Sequence, residues 1–137
     1  MKERLIISIG KISFDKVVVD CKNPMALAEF YCKLLGWKIG LVHEQIIIVV
    51  SDDCAVNIGF QSNKDYIPPA WPEVEGKQQQ MLHMDFAVPQ SMMQQWVDHV
   101  IDLGGKKAET QYPENGGSTV MFDPEGHPFC LDVIYDA

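Results

Sequence analysis

The pattern of elements runs along the chain once and then begins again. An alternating stretch, Lys16-Val17-Val18-Val19, leads into an amphipathic stretch ending in Leu35-Gly36, then into alternating stretches at Ile46–Val50 and Ala55–Gln61. The series restarts at His83-Met84-Asp85-Phe86, reaches Leu103-Gly104, and continues through Ser118–Phe122 and Phe129–Val133. A repeat of this size constrains the fold more than any single motif, because both copies must adopt one supersecondary solution. The unit reads as βαβββ, used twice. That makes the chain α+β or α/β in content. With 137 residues there is room for one ordinary domain. Residues 1–137 are therefore read as a single domain, with module one about 14–62, a connector about 63–80 and module two about 81–136.

Local signals support the repeat. In the first helical stretch Leu27, Phe30, Tyr31, Leu34 and Leu35 fall on one face; Asn23 suits the N-cap, Pro24 the first turn and Gly36 a left-handed stop. In the second, Ser91-Met92-Met93-Gln94 reads as a capping box before the stripe Trp96, Val97, Val100 and Leu103. Strands are expected at Asp15–Cys21, Ile46–Val50, Cys54–Gln61, Leu82–Val88, Thr119–Phe122 and Pro128–Ile134. The proline-rich run from Tyr66 to Lys77 reads as a loop, with Trp71 as its one large anchor.

Strand alternation sorts residues onto faces. Val17, Val19, Ile58, Phe60, Met84, Phe86, Val88, Phe129, Leu131 and Val133 form the apolar face that must carry the helices. The other face collects Lys16, Asp20, Asn57, Gln61, His83, Asp85, Cys130 and Asp132. Periodicity alone leaves open whether that polar face is solvated surface or the lining of a pocket.

Composition removes several functions. A net charge of −8 repels a phosphate backbone, so nucleic acid is not an expected partner. The longest apolar runs fall far short of the roughly 20 residues that span a bilayer. The start Met1-Lys2-Glu3-Arg4 followed by Leu5–Ile9 imitates a secretory signal but is too short and lacks a cleavage site, and a cytoplasmic protein is expected. Cys21, Cys32, Cys54 and Cys130 show no paired spacing and read as free thiols.

The segment Ala28-Glu29-Phe30-Tyr31-Cys32-Lys33-Leu34-Leu35-Gly36-Trp37 and the ending Phe122-Asp123-Pro124-Glu125-Gly126-His127-Pro128-Phe129 resemble the glyoxalase, bleomycin-resistance and extradiol dioxygenase superfamily, the vicinal oxygen chelate proteins. Phe60-Gln61, Pro68-Pro69-Ala70-Trp71-Pro72 and Leu82-His83-Met84-Asp85 are similar to its glyoxalase-like subgroup. The resemblance implies an α+β fold in which the two βαβββ modules form a curled, mostly antiparallel sheet cup lined by the polar face, with the helices on the outer face. It also implies four metal positions in the metal-using members, which fall here on Lys16, Gly59, His83 and Cys130. A protonated lysine has no lone pair to donate and glycine has no side chain, so no cofactor is expected. If a divalent metal binds, His83 and Cys130 would hold it, joined by Asp85, Asp132 or Gln61. His43, His99 and His127 are expected at the surface.

The resemblance thus implies a metal-independent protein that holds a small organic ligand in the cup. Lys16, Gln61, His83, Asp85, Cys130 and Asp132 would supply polarity, and Trp37 and Trp71 walls. The alternative is a lyase or isomerase in which His83 removes a proton beside a carbonyl, with Asp85 or Asp132 orienting it and Lys16 facing the oxyanion. A metal-dependent dioxygenase of the same superfamily is the further alternative. Exposed sheet edges make a homodimer the expected assembly.

Overall fold

The computed structural model describes residues 9–112 and 117–134. Module one comprises β1 (Lys16–Cys21), α1 (Pro24–Leu35), β2 (Lys38–Val42), β3 (Ile46–Val50) and β4 (Asn57–Ser62). Module two comprises β5 (Met84–Pro89), a 3₁₀ turn at Gln90–Met92, α2 (Met93–Asp102), β6 (Lys106–Lys107), β7 (Ser118–Phe122) and β8 (Pro128–Ile134). The fold is α+β, two copies of βαβββ.

Each module builds a four-stranded mixed sheet of the same order, β1-β4-β3-β2 and β5-β8-β7-β6. The first strand pairs parallel with the last, and the remaining pairings are antiparallel. Even the register repeats, with Val18 opposite Gly59 in one module and Asp85 opposite Cys130 in the other. The two sheets are separate hydrogen-bonded units, and side chains join them.

The first helix forms as its sequence signals require. The Asn23 side chain accepts a hydrogen bond from the Ala26 N–H at 3.2 Å, and Gly36 takes φ 72°, its N–H returning to the Cys32 carbonyl. The regular part of α2 begins later than the capping-box pattern suggests. Met92 stands at its N-cap, and the 3₁₀ turn leads the chain in from Pro89. Strands β2 and β6 were not expected. β2 has Gly40 in its middle and a register shift beside it, and β6 is two residues long, so neither carries a readable alternation.

One core serves both modules. Leu27, Phe30, Tyr31 and Leu34 of α1 are buried with Ile47, Val49, Ile58 and Phe60 of its own sheet and Phe129 and Leu131 of the other. Tyr31 stacks on Phe60 at 5.2 Å and meets Phe86 and Phe129 at 6.1 Å each, so this ring lies between the sheets. Residues 9–13 form no strand, and residues 1–8 of the N-terminal segment lie outside the described residues. Among the described residues no helix is long and apolar enough to cross a membrane.

Candidate functional site

The helix-free face of module two brings four of the expected residues together. Parallel pairing sets Asp85 opposite Cys130, and His83 lies two residues before Asp85 on the same face. The Nε2 of His83 is 3.1 Å from Oδ1 of Asp85. One donor atom from each of His83, Asp85 and Cys130 lies within 4.8 Å of the other two. Asp132, next along β8 on that face, accepts a hydrogen bond from the Ser118 hydroxyl at 2.6 Å.

Trp71 and Tyr112 lie beside this cluster. Trp71 packs on the buried group Ala108, Val120 and Cys130, donates its indole N–H to the Thr110 carbonyl at 2.9 Å, and meets the Tyr112 ring at 5.2 Å. Burial, then the carboxylates of Asp85 and Asp132, push the Cys130 thiol up to about 12. The thiol is therefore neutral near pH 7 and is no nucleophile on its own. Burial and the Asp132 charge also raise the pKa of Asp85, while His83 pulls it down.

Module one offers no equivalent. By register, the counterparts of Asp85 and Cys130 are Val18 and Gly59. A β-carbon added at Gly59 would lie 3.2 Å from Cδ1 of Ile46 and 3.5 Å from Cγ2 of Val18, so apolar side chains fill the place of a ligand. Lys16 is ion-paired to its neighbour Asp15 and Gln61 is exposed, and neither joins the module-two cluster. Trp37 is half-buried against the main core, away from the other candidates. The four positions implied by the resemblance therefore do not make a metal site here, whereas His83, Asp85 and Cys130 do converge.

A cavity lies elsewhere, along the free edge of β1 beneath the connector. It measures about 390 Å³, with Val18, Ile67, Pro69, Met81 and Leu82 as apolar walls. Its charged lining comprises Asp20, Asp65 and His127, with neither lysine nor arginine. Met81, at φ 55°, turns the chain from the connector toward β5.

His127, expected at the surface, is half-buried and bonded on both sides. Its Nδ1 is 2.8 Å from Oδ2 of Asp123, its Nε2 is 2.7 Å from the Asp20 carbonyl, and Tyr66 stacks on it at 4.8 Å. Two acceptors facing two ring nitrogens require a proton on each. Burial works against that cation, but the hydrogen bond and charge of Asp123 outweigh it and raise the pKa. The buried Asp123 also accepts from the Tyr31 hydroxyl at 2.8 Å, and Glu125 accepts from the N–H groups of Lys22 and Asn23 at 2.7 and 2.8 Å. The Asp-Pro-Glu-Gly-His turn thus ties module two to β1, α1 and the connector. The sequence signal was present in the motif, but its partners lie about a hundred residues away.

The family model described as a glyoxalase-like domain matches residues 16–131. The chain belongs to this glyoxalase-like family. Solved structures agree at the level of fold. A glyoxalase/bleomycin resistance protein/dioxygenase family enzyme from Burkholderia phytofirmans PsJN is 14% identical over 87% of this chain and 96% of its own, with a TM-score of 0.66. The fosfomycin resistance protein FosX from Listeria monocytogenes is 12% identical over 92% and 94%, at 0.65. The oxidase ChaP-H2 is 16% identical over 93% and 98%, at 0.61. No curated protein matches the chain. The family spans both modules and the connector, so the cavity and the His83 cluster both lie within the shared fold.

Proposed function

We propose that this glyoxalase-like protein binds a small, neutral or cationic organic molecule in the cavity between β1 and the connector, with no metal contacting the ligand. The observation that carries this reading is the cavity itself. Its volume of about 390 Å³ suits a small organic molecule, and its walls are apolar with a few placed polar groups. Asp20 and Asp65, in a lining without lysine or arginine, disfavour an anion. Val18 tests the reading, since it is exposed on the cavity side and a larger side chain there would fill the space. A thermal-shift screen of aromatic and cationic compounds should yield ligands that stabilise the native chain and not Val18→Trp. Hits that stabilise both alike would place binding elsewhere.

One observation favours a lyase or isomerase instead, the 3.1 Å contact of His83 with Asp85. With its Nε2–H donated to Asp85, the other ring nitrogen is left with a lone pair able to take a proton from carbon beside a carbonyl. That reading requires turnover that His83→Ala abolishes. A cytoplasmic homodimer belongs to the same proposal. The edge strand β2, with Leu41 and Val42 exposed, is the surface best suited to pair with a second copy.

A further inference from the structure

We infer that His127 is a protonation-dependent latch across the cavity beside β1: charged, its ring bonds β1 to the connector side, and neutral, it releases β1. Such a latch regulates the cavity, and as regulation it rests on the reading of that cavity as the ligand site.

Three residues of the cavity lining, Asp20, Tyr66 and His127, meet at this one ring. They come from β1, from the connector and from the turn before β8. The connector rides on that turn. Tyr66 stacks on the His127 ring and donates its hydroxyl to the Glu125 carbonyl at 2.8 Å, and a β-carbon at Gly126 would stand 3.0 Å from Cβ of Pro68. The 2.7 Å contact of Nε2 with the Asp20 carbonyl therefore runs from the connector side of the cavity to its β1 side.

The two ring nitrogens are not equivalent. Nδ1 faces the buried Asp123 carboxylate, whereas Nε2 faces a neutral peptide carbonyl. A neutral ring keeps one N–H, and the carboxylate is the stronger acceptor for it. Nε2 is then bare, and its lone pair points at the Asp20 oxygen where an N–H had pointed. Two acceptors at hydrogen-bond distance repel, so the contact that opens is the one to β1. The other ties persist in both forms: Glu125 on the Lys22 and Asn23 N–H groups, the Asn63 amide on the Asp20 carboxylate at 3.1 Å, and the Asn63 N–H on the Cys21 carbonyl at 2.8 Å. Opening is thus local to the cavity and leaves the junction folded.

The groups facing the ring are Asp123 and Glu125 of its own turn, the Asp20 carbonyl of β1 and Tyr66 of the connector, with Tyr31 of α1 reaching it through Asp123. Burial and then the nearby carboxylates push the Cys21 thiol up to about 12 and raise the Tyr31 and Tyr66 hydroxyls, so all three stay neutral around neutrality. Of the ring and these three, only the imidazole changes charge there. Burial disfavours its cation, but the hydrogen bond and charge of Asp123 outweigh burial and raise the folded-state value. The latch is therefore closed below the ordinary imidazole value near about 6.5 and opens as pH rises through the higher one.

Both readouts that test this use the native full chain and no ligand. Imidazole nitrogen-15 NMR from about pH 5.5 to about pH 9 should show His127 losing its proton from Nε2 while Nδ1 stays protonated. The signals absent from His127→Gln identify the ring. Hydrogen exchange, corrected for the intrinsic pH dependence of amide rates, should show residues 17–21 and 63–69 losing protection along the same titration, while Pro24–Leu35 keeps its protection. In His127→Gln that pH-linked loss should disappear. If this variant fails to fold, Overhauser contacts to the Tyr66 ring assign His127 and the native chain decides alone. A proton lost first from Nδ1, a ring still charged at the alkaline end, or protection that ignores the titration would overturn the latch. Failure of these readouts sinks the latch and leaves the cavity reading standing, whereas ligands that stabilise Val18→Trp as well as the native chain sink the cavity reading without touching the titration.

Discussion

At the scale of single residues, the buried Asp123 organises the turn that ties the two modules together. Its buried carboxylate takes hydrogen bonds from Tyr31 of module one and from the Glu125 and His127 N–H groups of its own turn, and pairs with the His127 ring. Removing one donor leaves a buried charge undersatisfied, so Tyr31→Phe should cost about 1–3 kcal/mol in urea unfolding. His127 adds a pH dependence. Its folded-state pKa is raised, so its stabilisation is fully present below the ordinary imidazole value near about 6.5 and fades as pH rises through the higher folded value. The groups facing the ring are Asp123, Glu125, the Asp20 carbonyl and Tyr66. Melting temperature should therefore fall between mildly acidic and mildly alkaline pH in the native chain, and the slope should flatten in His127→Gln. An unchanged slope would mean that the ring is neutral and one of its two contacts is broken in solution.

At the scale of elements, helix ends and helix-to-strand junctions carry the tightest constraints. The start of α1 is capped twice, by Asn23 within the module and by the Glu125 carboxylate on the Lys22 and Asn23 N–H groups from the other module. Asn23→Ala should cost about 1 kcal/mol through the lost cap. Gly105, just past α2, has no such spare room. A β-carbon there would meet Cγ1 of Val100 at 2.6 Å and the Phe122 carbonyl oxygen at 2.7 Å. Gly105→Ala should therefore destabilise by about 1–3 kcal/mol, visible as a lower urea midpoint at unchanged slope. These elements were legible in the sequence where periodicity and punctuation agreed, as in α1 with Asn23, Pro24 and Gly36. They were not legible in β2, where Gly40 interrupts the alternation, or in β6, which exists only because Lys106 and Lys107 find Phe122 and Met121 as partners.

At the scale of the whole molecule, net charge bears on ligand binding and the sheet edges bear on the proposed assembly. With a net charge of −8, a cationic ligand should bind more weakly as salt rises, because screening shortens the reach of that field to about 8 Å at physiological ionic strength. Affinity measured by calorimetry across a salt series checks this, and a flat series would favour a neutral ligand. The proposed homodimer should appear as twice the chain mass in light scattering, and Leu41→Lys on the β2 edge should return it to the monomer. Sequence alone determined the repeat, the two helices and which residues share a sheet face, because hydrophobic period and capping are properties of neighbours a few positions apart. Only the tertiary structure decided that His127 is bonded through both ring nitrogens, that a cavity lies along the edge of β1, and that Asp85 joins His83 and Cys130 in one cluster. Each of those depends on which strands pair and how the connector packs, distances set by long-range contacts that no local pattern encodes.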